Sequence, residues 1–273
     1  GLIPPQSRGR NLRIFRQKFQ IVMGVTMASK NSEGFFDFLK TIIYAVAIAL
    51  VVRTLAFEPF NIPSKSMLPT LEVGDYLFVS KYSYGYSRHS LPFSIPLIPG
   101  RILATEPERG DVAVFKTPSD NRTDFIKRII GLPGDKIQMK QGRLNINGNL
   151  VPRKRIENYT ETLDDGRSRP VTRYEETLPN GRKLPILEVE LDQGDLDNTR
   201  TYTVPKNHYF VMGDNRDNSQ DSRVTSQVGF VPRENLVGRA EFLFFSTNGS
   251  SVWWNPISWW AALRGNRVFS LIK

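Results

Sequence analysis

The main apolar stretch of the chain covers residues 35–57, and it separates a part that can meet lipid from a part that must fold in water. Lys40 and Arg53 bracket its charge-free centre, residues 41–52. The 13 steps between those two charges span roughly 20 Å of helix at about 1.5 Å each. Snorkelling of both side chains lengthens the apolar span. Phe35, Phe36, Phe38, Leu55 and Phe57 carry it towards the roughly 30 Å of a bilayer core. The competing reading is a buried helix of a soluble protein. A helix with no polar face is unusual on a soluble surface and ordinary in lipid. The pattern therefore predicts a transmembrane anchor over 35–57.

The flanks give that anchor a direction. Residues 1–34 hold Arg8, Arg10, Arg13, Arg16, Lys18 and Lys30 against one acid, Glu33, whereas residues 57–80 hold one cation, Lys65. The excess of Lys and Arg predicts a basic cytoplasmic tail over 1–34 and an extracytoplasmic location for everything after Phe57. No A-x-A-like cleavage site follows the segment; Glu58-Pro59-Phe60 does, so the anchor reads as uncleaved. The net charge of +10 suits anionic lipid or nucleic acid. Much of it lies beside the anchor and no nucleic-acid motif is present, so no nucleic-acid partner is expected.

Beyond the anchor, the roughly 200 remaining residues are enough to bury a core unaided. There are no cysteines, which excludes disulfides, thiolate metal sites and a cysteine nucleophile. Apolar runs at 76–79, 112–115, 125–130, 209–212 and 240–245, bounded by glycine, proline or aspartate, predict short strands. Asn147-Gly148, Asp165-Gly166 and Asn180-Gly181 are hairpin turn signals inside a more polar stretch, residues 141–205. The expected organisation is a β core from 58–140 and 206–250, interrupted by a smaller β subdomain over 141–205. All four tryptophans, Trp253, Trp254, Trp259 and Trp260, fall in a basic segment over 251–273 with Arg264, Arg267 and Lys273. Such rings either sit at a bilayer interface or close the core.

Chemistry concentrates in a few places. Two prolines in Ile62-Pro63-Ser64-Lys65-Ser66-Met67-Leu68-Pro69 fix an extended backbone, in which Ser64 and Ser66 point the same way. Such a pair can supply a nucleophile and a neighbouring oxyanion donor. Taken alone, it is more often an ordinary loop. A serine nucleophile needs a base. His89 and His208, the two histidines, lack a triad context, and no HExxH motif is present. Lysine serves as base when it is neutral, and burial favours the neutral form. Lys127 sits in a strand-like run where Phe125 and Ile129 share its face, which can desolvate it. A lysine on an edge strand is the bland alternative. Residues 213–223 are a dense run of turn formers able to hold a loop by side-chain hydrogen bonds. Their carboxylate spacing suggests calcium, but the glycine and distal glutamate of an EF-hand are missing, so neither metal nor cofactor is expected.

Together these segments resemble the bacterial type I signal peptidases. Residues 62–71 are similar to that family's serine box, Arg109-Gly110-Asp111-Val112 to its next box, 126–135 to its lysine box, and 213–223 to its GDNRDNSxDSR box. Four boxes in order make a specific match over about residues 35–238. The resemblance implies a mainly β fold of antiparallel sheets behind one N-terminal transmembrane helix. It implies Ser66 as nucleophile, Lys127 as general base, and Ser64 beside the backbone N–H of Ser66 as oxyanion donors. Ser219 would position the lysine, Asp221 and Arg223 would form a supporting ion pair, and Ile62 and Met67 would line the substrate pocket. Lys65 departs from the family, where many members have glycine. The implied reaction is removal of signal peptides from exported preproteins, with alanine-like residues at the first and third positions before the cut. The implied partners are signal peptides, membrane phospholipid and the secretion translocon. The implied location is a bacterial inner membrane, single-pass, with the catalytic domain outside. The rivals are a self-cleaving repressor with a related core, a specialised processing peptidase, and a non-enzymatic membrane adaptor.

Overall fold

The computed structural model describes residues 34–163, 166–190, 194–250 and 254–272. The basic tail expected over 1–34 lies outside the described residues except for Gly34, as do Trp253 and Asp165. Gly34–Leu55 is one helix of 22 residues, long and apolar enough to cross a membrane. Phe35, Ile43, Tyr44 and Ile48 are all exposed on it. It ends earlier than the sequence suggests. Ala56 is a turn residue and Phe57 already pairs with Ser80 in a sheet. Pro59 explains this: it cannot continue a helix, and it pushes Glu58 towards extended backbone.

The body from Val52 onward is a compact unit built on a seven-stranded antiparallel sheet. Its order is Phe57–Asn61, Asp75–Ser80, Leu236–Ser246, Val112–Lys116, Asp124–Gly131, His208–Met212 and Val231–Pro232. Every strand expected from the sequence is present, lengthened by a residue or more. Two four-stranded sheets fill the chain between Gly131 and His208. In one, Lys136–Lys140 lies between Tyr202–Thr203 and Arg143–Ile146, which in turn pairs with Asn149–Leu150. In the other, Ser168–Thr177 pairs with Arg153–Arg155, Tyr159–Thr162 and Lys183–Glu188. Asn147 (φ 54°) and Gly148 (φ 85°) make the two-residue turn that positive φ at both positions requires. The smaller sheets begin before residue 141, because Lys136–Lys140 is half of a hairpin that the sequence boundary cut through.

The smaller sheets share a core with the main one. Ile130, Phe210 and Met212 pack with Ile137, Leu144 and Ile186. A second cluster gathers Ile62, Met67, Leu71, Leu77 and Val79 under the first strands. The C-terminal segment folds back on the body. The helix Pro256–Ala262 leads to Arg264 and Arg267, which ion-pair with Glu72 and Asp75. These two cations are thus spent inside the protein rather than left for anionic lipid. Trp254 and Trp260 are 70% and 79% exposed, so neither closes the core.

Candidate active site

Ser66 follows the edge strand Phe57–Asn61. Residues 64–70 are not extended, as the prolines suggested, but turn sharply, with Leu71 N–H donating to Met67 O at 2.9 Å. The turn, rather than a pleated strand, brings Ser64 Oγ to 3.3 Å from Ser66 Oγ. Lys127 comes from the middle of the main sheet, where Asp124–Gly131 is paired on both sides and Lys127 stands opposite Ala113. Its side chain crosses to the serine turn, and Nζ donates to Ser66 Oγ at 2.8 Å and to Ile126 O at 2.9 Å. The Phe125 ring centroid lies 5.2 Å from Nζ, as the shared-face pattern predicted. Ser66 is 8% and Lys127 4% exposed. Burial lowers the Lys127 pKa to about 8, against the partial opposition of the Asp221 and Asp214 carboxylates. A lysine so placed can give up its ammonium proton near neutral pH.

The 213–223 loop fixes this pair from a third direction. Asn215 N–H donates to Ser66 O at 3.1 Å, and Asn215 Nδ2 donates to Lys65 O at 3.1 Å. Asp221 and Arg223 form the buried bidentate pair expected, with Nε–Oδ1 at 2.9 Å and Nη2–Oδ2 at 2.8 Å. Burial alone would raise the Asp221 pKa. The Arg223 guanidinium and the Gly213 N–H outweigh it and hold the carboxyl below its usual range. Ser219 is buried on the wall of the same cavity, but its hydroxyl makes no hydrogen bond to Lys127. The cavity, about 600 Å³, is lined by Ser64, Ser66, Phe125, Lys127, Leu196 and Ser219, among others. Ile62 and Met67 are seated in the core beneath, 3% and 1% exposed, and not on this wall. Lys65 turns to the inserted region, where Nζ donates to Thr162 O at 3.2 Å.

The histidines are elsewhere. His89 bonds Ser94 and Arg88, and burial together with the Arg88 charge lowers its pKa to about 4. His208 bonds Lys206 O. Neither lines the cavity.

A sequence model described as "Signal peptidase, peptidase S26" matches residues 35–245. The signal peptidase I of Rickettsia typhi is 45% identical over 230 residues, 80% of each chain. That of Rickettsia canadensis is 43% identical over 254 residues, 84% of this chain and 91% of its own. The chain belongs to the signal peptidase family. It is accordingly a signal peptidase I, a serine endopeptidase. A solved signal peptidase I from Enterococcus faecalis is 26% identical over 50% of this chain and 97% of its own, at a TM-score of 0.29, too low to bear on the fold.

Three structural partners of the site escaped sequence reasoning. Arg128, next to Lys127, is fully buried and clasps Asp214 through Nε–Oδ1 at 2.8 Å and Nη2–Oδ2 at 2.6 Å. Arg216 clasps Glu176 of the inserted region in the same bidentate way. Gly213 lies where a β carbon would stand 2.3 Å from Ser219 Oγ and 2.5 Å from Ser66 O, so no larger residue fits. The only sequence signal for them was their place inside the family boxes.

Proposed function

We propose that the chain removes signal peptides from exported preproteins by a Ser66–Lys127 dyad at the outer face of a bacterial plasma membrane. One observation carries the mechanism: Nζ of a buried lysine stands 2.8 Å from the hydroxyl of a buried serine. Neutral Lys127 takes the Ser66 proton as Oγ attacks the scissile carbonyl. The oxyanion is received by the Ser66 N–H and the Ser64 hydroxyl. The Lys127 ammonium then protonates the leaving amine, and an acyl ester remains on Ser66. Water, deprotonated by Lys127, attacks that ester. The C–Oγ bond breaks, the signal peptide leaves with a new carboxylate, and Ser66 recovers its proton. Asp221 and Arg223 hold the loop that shapes the cavity, and Ser219 lines its wall. Family likeness supports alanine-like residues at the first and third positions before the cut.

The same reading gives the chain its place. The helix Gly34–Leu55 is the anchor, with the basic tail in the cytoplasm. Phospholipid is a further partner. Exposed Tyr76, Phe245, Trp254, Ile257 and Trp260 offer the body an apolar, tryptophan-bearing surface for the interface. The secretion translocon delivers the substrate to the same membrane, where confinement raises its effective concentration.

The test is cleavage of a preprotein bearing an Ala-x-Ala site by the purified full chain in detergent, beside the same preprotein with tryptophan at the last position of that site. A single cut after the second alanine, lost on the tryptophan substrate, is the expected result. A well-folded protein that leaves the alanine substrate intact removes the proposal.

The pH profile is a second check. With the Lys127 pKa at about 8, kcat/KM should climb about tenfold per pH unit below about pH 7 and level off above about pH 9. A profile flat between those limits would take Lys127 out of the base role.

A further inference from the structure

Asp217 belongs to the loop that holds Ser66, yet it is bound to the inserted region. Its Oδ2 accepts the backbone N–H groups of Val189 at 2.6 Å and Glu190 at 2.9 Å. One carboxylate oxygen each from Asp217, Glu188 and Asp197 lies within 4.8 Å of the other two. Like charges so close, in so little water, need a positive charge among them or a proton held on one of them.

Two separate observations say that the protein does not fully supply it. Glu188 is 1% exposed, and neither of its carboxylate oxygens accepts a hydrogen bond. Its ion contact among the described residues is Arg153 Nη1, 3.5 Å from Oε1. The neighbouring Arg216 is committed to Glu176 through both Nη atoms. The second observation is Gly194. A β carbon there would stand 3.1 Å from Glu190 Oε2 and 3.2 Å from both Asp197 Oδ2 and Asp217 Oδ1. The bare glycine thus faces three converging carboxylate oxygens, a space that any side chain would fill.

We infer that Glu188, Asp197 and Asp217, with Glu190 at the rim, form a binding site for a calcium ion that ties the inserted region to the wall of the Ser66 cavity. The donor set is all oxygen, which selects hard cations over zinc or copper. Calcium takes such ligands at about 2.3–2.6 Å in irregular geometry, so two oxygens on one ion stand at most about 5.2 Å apart. The observed cluster falls inside that limit. Magnesium needs a near-ideal octahedron at about 2.1 Å and keeps most of its water, which a buried, mixed-side cluster serves poorly. The placement gives the ion a structural consequence. Leu196, next to Asp197, and Asp217 itself both line the cavity that holds Ser66 and Lys127. The EF-hand pattern is absent because two of the ligands come from 20 or more residues upstream of Asp217, outside the 213–223 loop.

This goes beyond the proposed cleavage, and its test reads binding and heat stability rather than turnover. The full chain in detergent is stripped with a chelator, exchanged into metal-free buffer and titrated with calcium chloride by calorimetry. One ion per chain is expected, with Tm raised by at least about 5 °C at a hundredfold excess over Kd. Glu188→Gln and Asp197→Asn, each close to isosteric, should weaken binding at least about tenfold, because each removes a charged ligand. Wild type that binds no calcium up to about 10 mM, beyond the range of weak extracellular modules, overturns the site. So does unchanged affinity in both variants, and binding of magnesium with no calcium binding overturns the calcium assignment. Should both variants fail to fold, terbium luminescence on wild type decides: emission displaced by calcium supports the site, and its absence overturns it.

Discussion

Lys127→Met is expected to abolish cleavage while making the protein more stable. The two effects have one cause. Folding lowers the lysine pKa from 10.5 to about 8, chiefly by burial. Between about pH 8 and 10.5 the unfolded chain therefore binds more protons than the folded one, and stability rises with pH across that window. Below pH 8 the native state bears the full cost of a buried ammonium, about 3 kcal/mol at one pKa unit per 1.36 kcal/mol. Methionine fills a similar volume with no charge to desolvate. At pH 7 the variant should unfold at higher denaturant, with a gain of up to about 3 kcal/mol that shrinks to nothing as pH approaches 10.5. Its kcat/KM should fall by at least about 10³-fold, since neither base nor acid remains. Ser66→Ala should lose activity on the same scale without that stability gain. A Lys127→Met protein that keeps even about a tenth of wild-type activity would sink the dyad.

The other large effect is expected at the Arg128–Asp214 pair, whose side chains are 0% and 1% exposed. Arg128→Met leaves the Asp214 carboxylate buried with Thr70 Oγ1 as its remaining side-chain donor, and Asp214→Asn leaves the guanidinium without its counter-charge. Breaking a buried pair from one side costs about 3–5 kcal/mol, because an uncompensated charge stays behind. Each single variant should lose stability on that scale in urea unfolding. The double variant should lose clearly less than the sum, giving a coupling energy in the cycle. Asp214→Asn carries an extra signature. Asp214 helps to keep Lys127 protonated, so its loss should move the rising limb of the pH profile to lower pH. Additive losses with an unmoved profile would mean that the pair is ordinary surface-like electrostatics.

What could be read from the sequence and what could not divides along sequence separation. The strand carrying Lys127 announced itself through Phe125 and Ile129 on one face, and Asn147-Gly148 announced its hairpin, because both signals are written in adjacent residues. The inserted sheets start earlier than the polar stretch at 141 suggested, because Lys136–Lys140 lies before it and is joined to it only through pairing with Arg143–Ile146. The turn at 64–70 was read as extended from its prolines, whereas Leu71 N–H closing on Met67 O bends it. Asn215 holding Ser66 and Arg128 clasping Asp214 had no local signature at all. They join residues 86 to 150 positions apart, and no spacing rule reaches that far. The role of Arg264 was likewise hidden: an arginine near tryptophans looks like a lipid anchor until Glu72 is seen opposite it.

The clamp of Asn215 on the serine turn also sets a clock. The segment that steadies Ser66 is synthesised about 150 residues after it. At roughly 5–20 residues per second, the nucleophile waits some 7–30 s for its support. For the later part of that interval the growing chain carries both Ser66 and Lys127 with no completed cavity between them. A peptidase built this way gains its clamped nucleophile only when the 213–223 loop has been made, so activity follows completion of the fold rather than preceding it.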